Sequence, residues 1–203
     1  MTRRLFALAS ALLLTGCMGL GGPKTVVQVY SPMAPVQANP AWPSVDWSVA
    51  IGTPMASQMI DSTRIAVRPT PDQLQAYKGA RWADTAPEML QTALVQAFED
   101  SGRFRSVMRL GSSGRGDFLL LTEIRHFETI YEGGRPRVVV DVQAKLIQRG
   151  AGRVASQRFR QEVTPASPEV VDIAPAFGRA MSALAADLIT WALSQPPTQP
   201  GSE

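Results

Sequence analysis

The sharpest chemistry in this sequence lies in four residues near its start, Leu14-Thr15-Gly16-Cys17. Small residues directly before a cysteine let an extended chain enter a peptidase, and the thiol is the one side chain there that can take a lipid. The pattern is that of a lipobox: the sulfur takes a diacylglycerol, cleavage before Cys17 frees its amino group, and that group is then acylated. The residues upstream fit this. Arg3 and Arg4 supply a positive start, and Leu5 to Leu14 is apolar apart from Ser10. That run is half of the ~20 residues a helix needs to cross a bilayer, so it reads as the core of a signal peptide and not as a span. Cys17 is also the only cysteine. No disulfide can form within the chain, although an exported protein would be allowed one. Burying acyl chains is worth ~0.8 kcal/mol per methylene, and one chain alone binds only marginally. A triacylated Cys17 should therefore hold the protein on its membrane. The next residue is Met18, not the Asp that retains many lipoproteins at the inner membrane. The expected location is the outer membrane, on its periplasmic face.

Other reactive side chains do not assemble into a site. His126 is the only histidine. It falls in a strand-like segment near Arg125 and Glu128, and without a paired partner for general-base work it reads as structural. A histidine-based metal site needs more donors. The loop Gly111-Ser-Ser-Gly-Arg-Gly116 is glycine-rich but lacks the Gly-Lys-Ser/Thr ending of a phosphate cradle, so it reads as a hairpin turn. Ser112 and Ser113 lack a Gly-x-Ser-x-Gly frame. Glu88, Glu99, Asp100, Asp117, Glu123, Glu128 and Asp141 are scattered over several elements. The reading is a protein without catalytic residues, metal or cofactor.

Charge narrows the partners. Loss of Arg3 and Arg4 with the leader leaves 18 basic against 17 acidic side chains, which lowers the formal charge from +3 to +1. Nucleic acid calls for a dense basic face, and it is excluded on that ground. Binding leaves fainter marks. Trp42 and Trp47 flank a proline-rich stretch and could form a contact patch, although Trp47 also fits the inward face of a strand. Arg81 and Trp82 precede a helix, with two readings open: the indole packs beneath the helix start, or the pair is exposed to a partner. Trp42, Arg81 and Trp82 are thus the candidate contact residues.

The elements that would position these residues follow from periodicity. Six residues, Met18 to Pro23, separate the lipid from a strand-like Lys24 to Tyr30. At ~3.3–3.6 Å per residue this tether spans ~20–25 Å, which keeps the folded part against its own membrane. Residues 31–43 hold Pro32, Pro35, Pro40 and Pro43 and should be an extended loop. Val45 to Ile51 alternates as a half-buried strand. Arg64 to Arg68 is another strand, and Leu74 to Trp82 a further one with a turn near Gly79. Thr85-Ala-Pro-Glu88 has capping-box spacing and opens a helix to Ser101, with Leu90, Ala93, Leu94, Ala97 and Phe98 on one face. A short strand, Arg105 to Leu110, precedes a meander of Asp117–Tyr131, Pro136–Gln148 and Arg153–Val163, turned at Gly133-Gly134 and Gly150-Ala-Gly152. A closing helix should run from Ile173 to Ser194 on the stripe Ile173, Phe177, Met181, Leu184, Leu188 and Trp191. Its start is placed after Asp172, so that Pro175 falls in the first turn.

The organisation expected is a signal peptide over 1–16, a lipidated tether over 17–23, one domain over 24–194 and a disordered tail over 195–203. The fold class is an α/β layered sandwich, a mixed and largely antiparallel sheet packed by two main helices. Helices on both faces would account for the apolar Phe118-Leu-Leu-Leu121.

The lipobox, Met59-Ile-Asp-Ser-Thr-Arg-Ile-Ala-Val-Arg68, Ala80-Arg-Trp-Ala-Asp84 and the helix Met89-Leu-Gln-Thr-Ala-Leu94 ending at Asp100-Ser-Gly102 together resemble the ABC-type transport auxiliary lipoproteins. The last helix, ending near Trp191-Ala-Leu193, is similar too. The resemblance implies a small α/β sandwich without catalytic residues, with only Cys17 carried over as the lipid site. It implies an accessory of an MCE-type lipid-transport system, such as the paraquat-inducible one. The partners would be a periplasmic MCE-domain protein and its ABC transporter complex, and self-association into a homo-oligomer is compatible with such ring-forming partners. The alternative is an outer-membrane assembly or structural lipoprotein, like a subunit of the lipopolysaccharide translocon.

Overall fold

The computed structural model describes residues 26–111, 116–195 and 197. The expected leader, the lipobox through Cys17 and the tether lie outside these residues, as do the interior of the glycine-rich loop and most of the expected tail. Among the described residues the elements run β1 (Gln28–Tyr30), β2 (Ser48–Ile51), β3 (Arg64–Thr70), β4 (Gln73–Trp82), α1 (Ala86–Asp100), β5 (Ser106–Arg109), β6 (Phe118–Glu132), β7 (Arg135–Gln148), β8 (Val154–Val163) and α2 (Val170–Leu193).

β6 is the spine of a mixed sheet. On one edge it pairs antiparallel with β7 from Phe118↔Gln148 to Glu132↔Arg135, and β7 pairs in turn with β8. Two shorter strands share its other edge end to end, both parallel to it. β2 lies beside Phe118–Leu120, β3 beside Thr129 and Ile130, and a bridge from Met55 to Glu123 joins the two stretches. β5 extends the sheet beyond β2, while β4 and then β1 extend it beyond β3. The long ladders are antiparallel, as the meander pattern predicts. The turn between β6 and β7 is two residues, Gly133 and Gly134, with φ of 58° and 78°. Both positions need the left-handed backbone that glycine adopts without steric cost.

Four expectations need correction. First, the Gly111–Gly116 segment is no hairpin turn: β2 lies between β5 and β6 and runs parallel to both. A strand of four residues leaves the loop little distance to return. Second, β4 does not turn at Gly79; it continues through that residue at φ 68°, and its register with β3 shifts nearby. A glycine in a strand here marks an irregularity that bends the ladder. Third, the helices do not cover both faces. α1 and α2 touch one another and pack on the same side, in one cluster with Phe118, Leu120, Val140, Val142 and Leu146. Leu119 and Leu121 point the other way and are only half-buried. Fourth, α2 begins at Val170, which puts Pro175 in its second turn. Pro175 is exposed, so the N–H it cannot donate to the Val171 carbonyl is lost on the solvent side, where water can replace it.

α1 starts as its capping box requires: the Glu88 carboxylate accepts from the Thr85 backbone N–H at 3.2 Å. The expected stripe of α2 is buried throughout, from Ile173 to Trp191.

Candidate functional site

The candidate contact residues come to lie in different surroundings. Trp82 is fully buried, edge-on to Phe177 at 5.0 Å and to Phe127 at 6.2 Å. It is buried against β6 and α2, so of its two readings the exposed one does not hold. Trp42 is 6% exposed, and its indole N–H donates to the Thr190 hydroxyl at 2.9 Å. Trp47 fits against Phe104 and Phe118. The tryptophans therefore anchor and do not form an exposed patch, which a large apolar ring favours. Arg81 alone of the three is exposed, its guanidinium donating to the Trp82 carbonyl at 3.3 Å.

The sheet face away from the helices carries a charged cluster that the sequence did not group. An extra residue, Arg125, interrupts the β6–β7 register between Ile124↔Val142 and His126↔Asp141. Beyond it, alternation brings His126 and Glu128 onto the same face as Asp141. Glu128, 1% exposed, accepts from Arg68 Nε at 3.0 Å and Nη2 at 3.1 Å, while His126 Nδ1 lies 2.6 Å away. His126 thus has the partner that sequence reading could not name. The pair does not form a reactive centre on its own, because both Glu128 oxygens are held by the Arg68 fork. Asp141, with no exposed side-chain surface, accepts from Arg158 Nε at 2.9 Å and Arg160 Nη1 at 3.1 Å. Burial opposes its ionisation, yet the hydrogen bonds and charges of Arg158 and Arg160 outweigh this and hold its carboxyl below the ordinary range. Arg160 also pairs with Glu162 at 2.7 Å, and Glu162 with Arg137. Hydrogen bonds from Arg137 and Arg160 likewise lower the Glu162 carboxyl. Fully partnered buried charges of this kind fix geometry. Among the described residues no group of three or more His, Cys, Asp and Glu is placed to hold a metal ion.

The helical side differs. The proline-rich stretch 31–43 leaves β1, crosses the outer surface of the helices and ends at Trp42 against α2. It crosses α2 at Gly178, where a Cβ would stand 2.3 Å from the Met33 carbonyl oxygen. Only glycine allows so close a backbone approach. Ala34 and Val36 pack against the core below. The stretch is thus a strap over the helical layer. Between the strap and α2 lies a groove of about 950 Å³. Tyr30, Pro32, Met33, Pro35 and Val36 line one wall; Val171, Ala174, Pro175, Ala183 and Ala186 line the other. Small residues on α2 keep the floor low. Among the described residues that line it, Arg179 alone is charged. A smaller cavity of about 440 Å³ lies on the strap's other side, against α1, and is bordered by Asp84, Thr92, Gln96 and Asp100.

The sequence reading named only the buried stripe of α2 and made no statement about its other face, so it missed this groove. The signal was present: Val171, Ala174, Pro175, Ser182, Ala183 and Ala186 are poor in charge for an outer helix face.

A family model for the ABC-type transport auxiliary lipoprotein component matches residues 28–189. The crystal structure of protein XCC0632 from Xanthomonas campestris, a DUF330-family protein, is similar at 39% identity. The match covers 82% of this chain and 95% of that one, with a TM-score of 0.78. A second crystal structure at 13% identity covers 82% and 99% of the two chains with a TM-score of 0.65, and it shares the fold. Among curated proteins, bll6063 of Bradyrhizobium diazoefficiens is 28% identical over 171 residues, which is 84% of this chain. The chain spans about half the length of that relative, 46%.

Proposed function

Because the chain belongs to the ABC-type transport auxiliary lipoprotein component family, we propose that it is a non-enzymatic, lipid-anchored periplasmic accessory of an ABC/MCE-type lipid-transport system working between the inner and outer membranes. The observation that carries this reading is the family match over 28–189, which takes in nearly the whole folded part. The domain is anchored through Cys17 after removal of residues 1–16, and the tether of 17–23 keeps it at the outer membrane, where Met18 directs it. The anchoring role is supported by the helices: no helix among the described residues is long and apolar enough to cross a membrane. The absence of an enzymatic role is supported by the charged face, whose buried carboxylates are taken up by arginines and whose histidine is hydrogen-bonded to one of them.

The partner is a periplasmic MCE-domain protein together with its transporter. Cross-linking in intact cells followed by affinity purification of the full-length lipoprotein tests this. An MCE protein and an ABC transporter are expected among the captured chains. Capture of an outer-membrane β-barrel in their place would replace the reading with an assembly or structural role.

A further inference from the structure

We propose that the groove between the strap and α2 holds one acyl chain of a membrane phospholipid, with Arg179 at its rim pairing with the lipid phosphate. The proposal rests on the lipid-anchored reading above and deepens it by naming what the helical face contacts.

Three observations carry it. The groove's volume of about 950 Å³ lies in the ~300–1,000 Å³ range of sites that enclose a small ligand. Its walls leave large apolar side chains in the open: Met33 is 82% and Val171 62% exposed. Contiguous apolar surface of that kind marks a place that another apolar body covers.

Charge then selects the occupant. Arg179 is exposed and, among the described residues, makes no ion pair or hydrogen bond. On the charged face, by contrast, Arg68, Arg137, Arg158 and Arg160 are each paired with a carboxylate. A lone guanidinium lining an otherwise uncharged apolar trough fits an amphiphile whose head is anionic, and a guanidinium's fork matches phosphate oxygens.

Position supplies the source. Val26 borders a neighbouring cavity that shares Tyr30 and Val171 with the groove. Eight residues separate Val26 from Cys17, and the nine steps between them extend to ~30 Å. The groove therefore lies within a tether's length of the bilayer that receives the Cys17 lipid. The Cys17 chains themselves gain most by remaining in that bilayer, which leaves a free phospholipid as the occupant.

The test uses the mature lipidated protein in vesicles of phosphatidylethanolamine and phosphatidylglycerol. A trace of phosphatidylglycerol carries a photoreactive diazirine near the end of one acyl chain. Irradiation should place the label in peptides covering 31–37 and 171–186. Ala183→Trp, which fills the floor, should cut that labelling by at least about fivefold, and Arg179→Glu by about threefold. Met33→Asp gives a second variant at a position too exposed to govern folding, and it should act in the same direction. Label confined to peptides before Val26, spread evenly over the surface, or unchanged in these variants would overturn the proposal. So would groove labelling that appears only in a Cys17→Ala chain, because the protein's own lipid would then be the occupant. The MCE capture experiment reads independently. Groove labelling without MCE capture would sink the transport reading alone, and MCE capture without groove labelling would sink this proposal alone.

Discussion

The two faces of the sheet have opposite accounts of their polar and apolar groups. On the open face of β6, β7 and β8, charged side chains crowd together and answer one another: Arg68 with Glu128, Arg158 and Arg160 with Asp141, and Arg137 with Glu162. On the helical face, the strap and α2 leave apolar side chains uncovered and one arginine unpaired. The first face carries most of the residue types associated with chemistry, and the second carries almost none. Yet a closed set of pairs has little left to offer a ligand, whereas an unanswered groove does. In a member of the transport auxiliary lipoprotein family, the place to look for contact is the face with unmet demands.

That contrast can be broken or sharpened by substitution. The largest effect is expected in the core: Trp82→Ala removes a fully buried indole that meets the stacked Phe127 and Phe177 rings edge-on, and should cost ~3–5 kcal/mol in urea unfolding. Next comes the closed face. Asp141→Ala leaves Arg158 without its carboxylate and Arg160 with Glu162 alone, but both guanidinium groups are partly exposed and water can take them up. The expected loss is therefore ~1–3 kcal/mol, below that of a wholly buried pair. The same face sets the acid response. The folded-state carboxyls of Asp141 and Glu162 are held low. Their contribution is present above the ordinary carboxylate range and drains away as pH falls below ~4. The urea midpoint should drop over that interval, and Asp141→Asn should flatten part of the drop.

Effects on the helical face should be smaller in stability and larger in shape. Gly178→Ala forces the strap's backbone at Met33 to move, while the helix gains up to ~1 kcal/mol in propensity. Net stability should change by no more than ~1 kcal/mol, but limited proteolysis should cut within 31–43 faster than in the parent chain. Arg179→Ala should stay within ~0.5 kcal/mol. A large loss there would mean that Arg179 is part of the folded framework and that the contrast between the faces is wrong.

Much of this architecture was legible in the sequence because local signals agreed with the global fold. The capping box at Thr85, the Gly133-Gly134 turn and the stripe from Ile173 to Trp191 each name an element without help from distant residues. The segments Met59–Arg68 and Ala80–Asp84 pointed to the family whose model the chain matches. What could not be read depends on contacts far apart in the chain. β2 and β3 share one edge of β6, which no period reveals, and the doubly apolar Phe118–Leu121 invited a second helical layer that is absent from the described fold. The bulge at Arg125 decides which residues join His126 and Asp141 on one face. The strap was read as an irregular loop because prolines report only that regular hydrogen bonding stops, not what the segment rests on. Trp42 and Gly178, 136 positions apart by their residue numbers, fasten it to α2.

Hydrogen–deuterium exchange on the mature lipoprotein, free in detergent and then in phosphatidylglycerol-containing vesicles, tests the contrast most directly. Slowed exchange in 31–37 and along the outer side of α2, with β7 and β8 unchanged, is the expected result. Slowing confined to β7 and β8 would contradict it, placing the membrane or its lipids on the charged face.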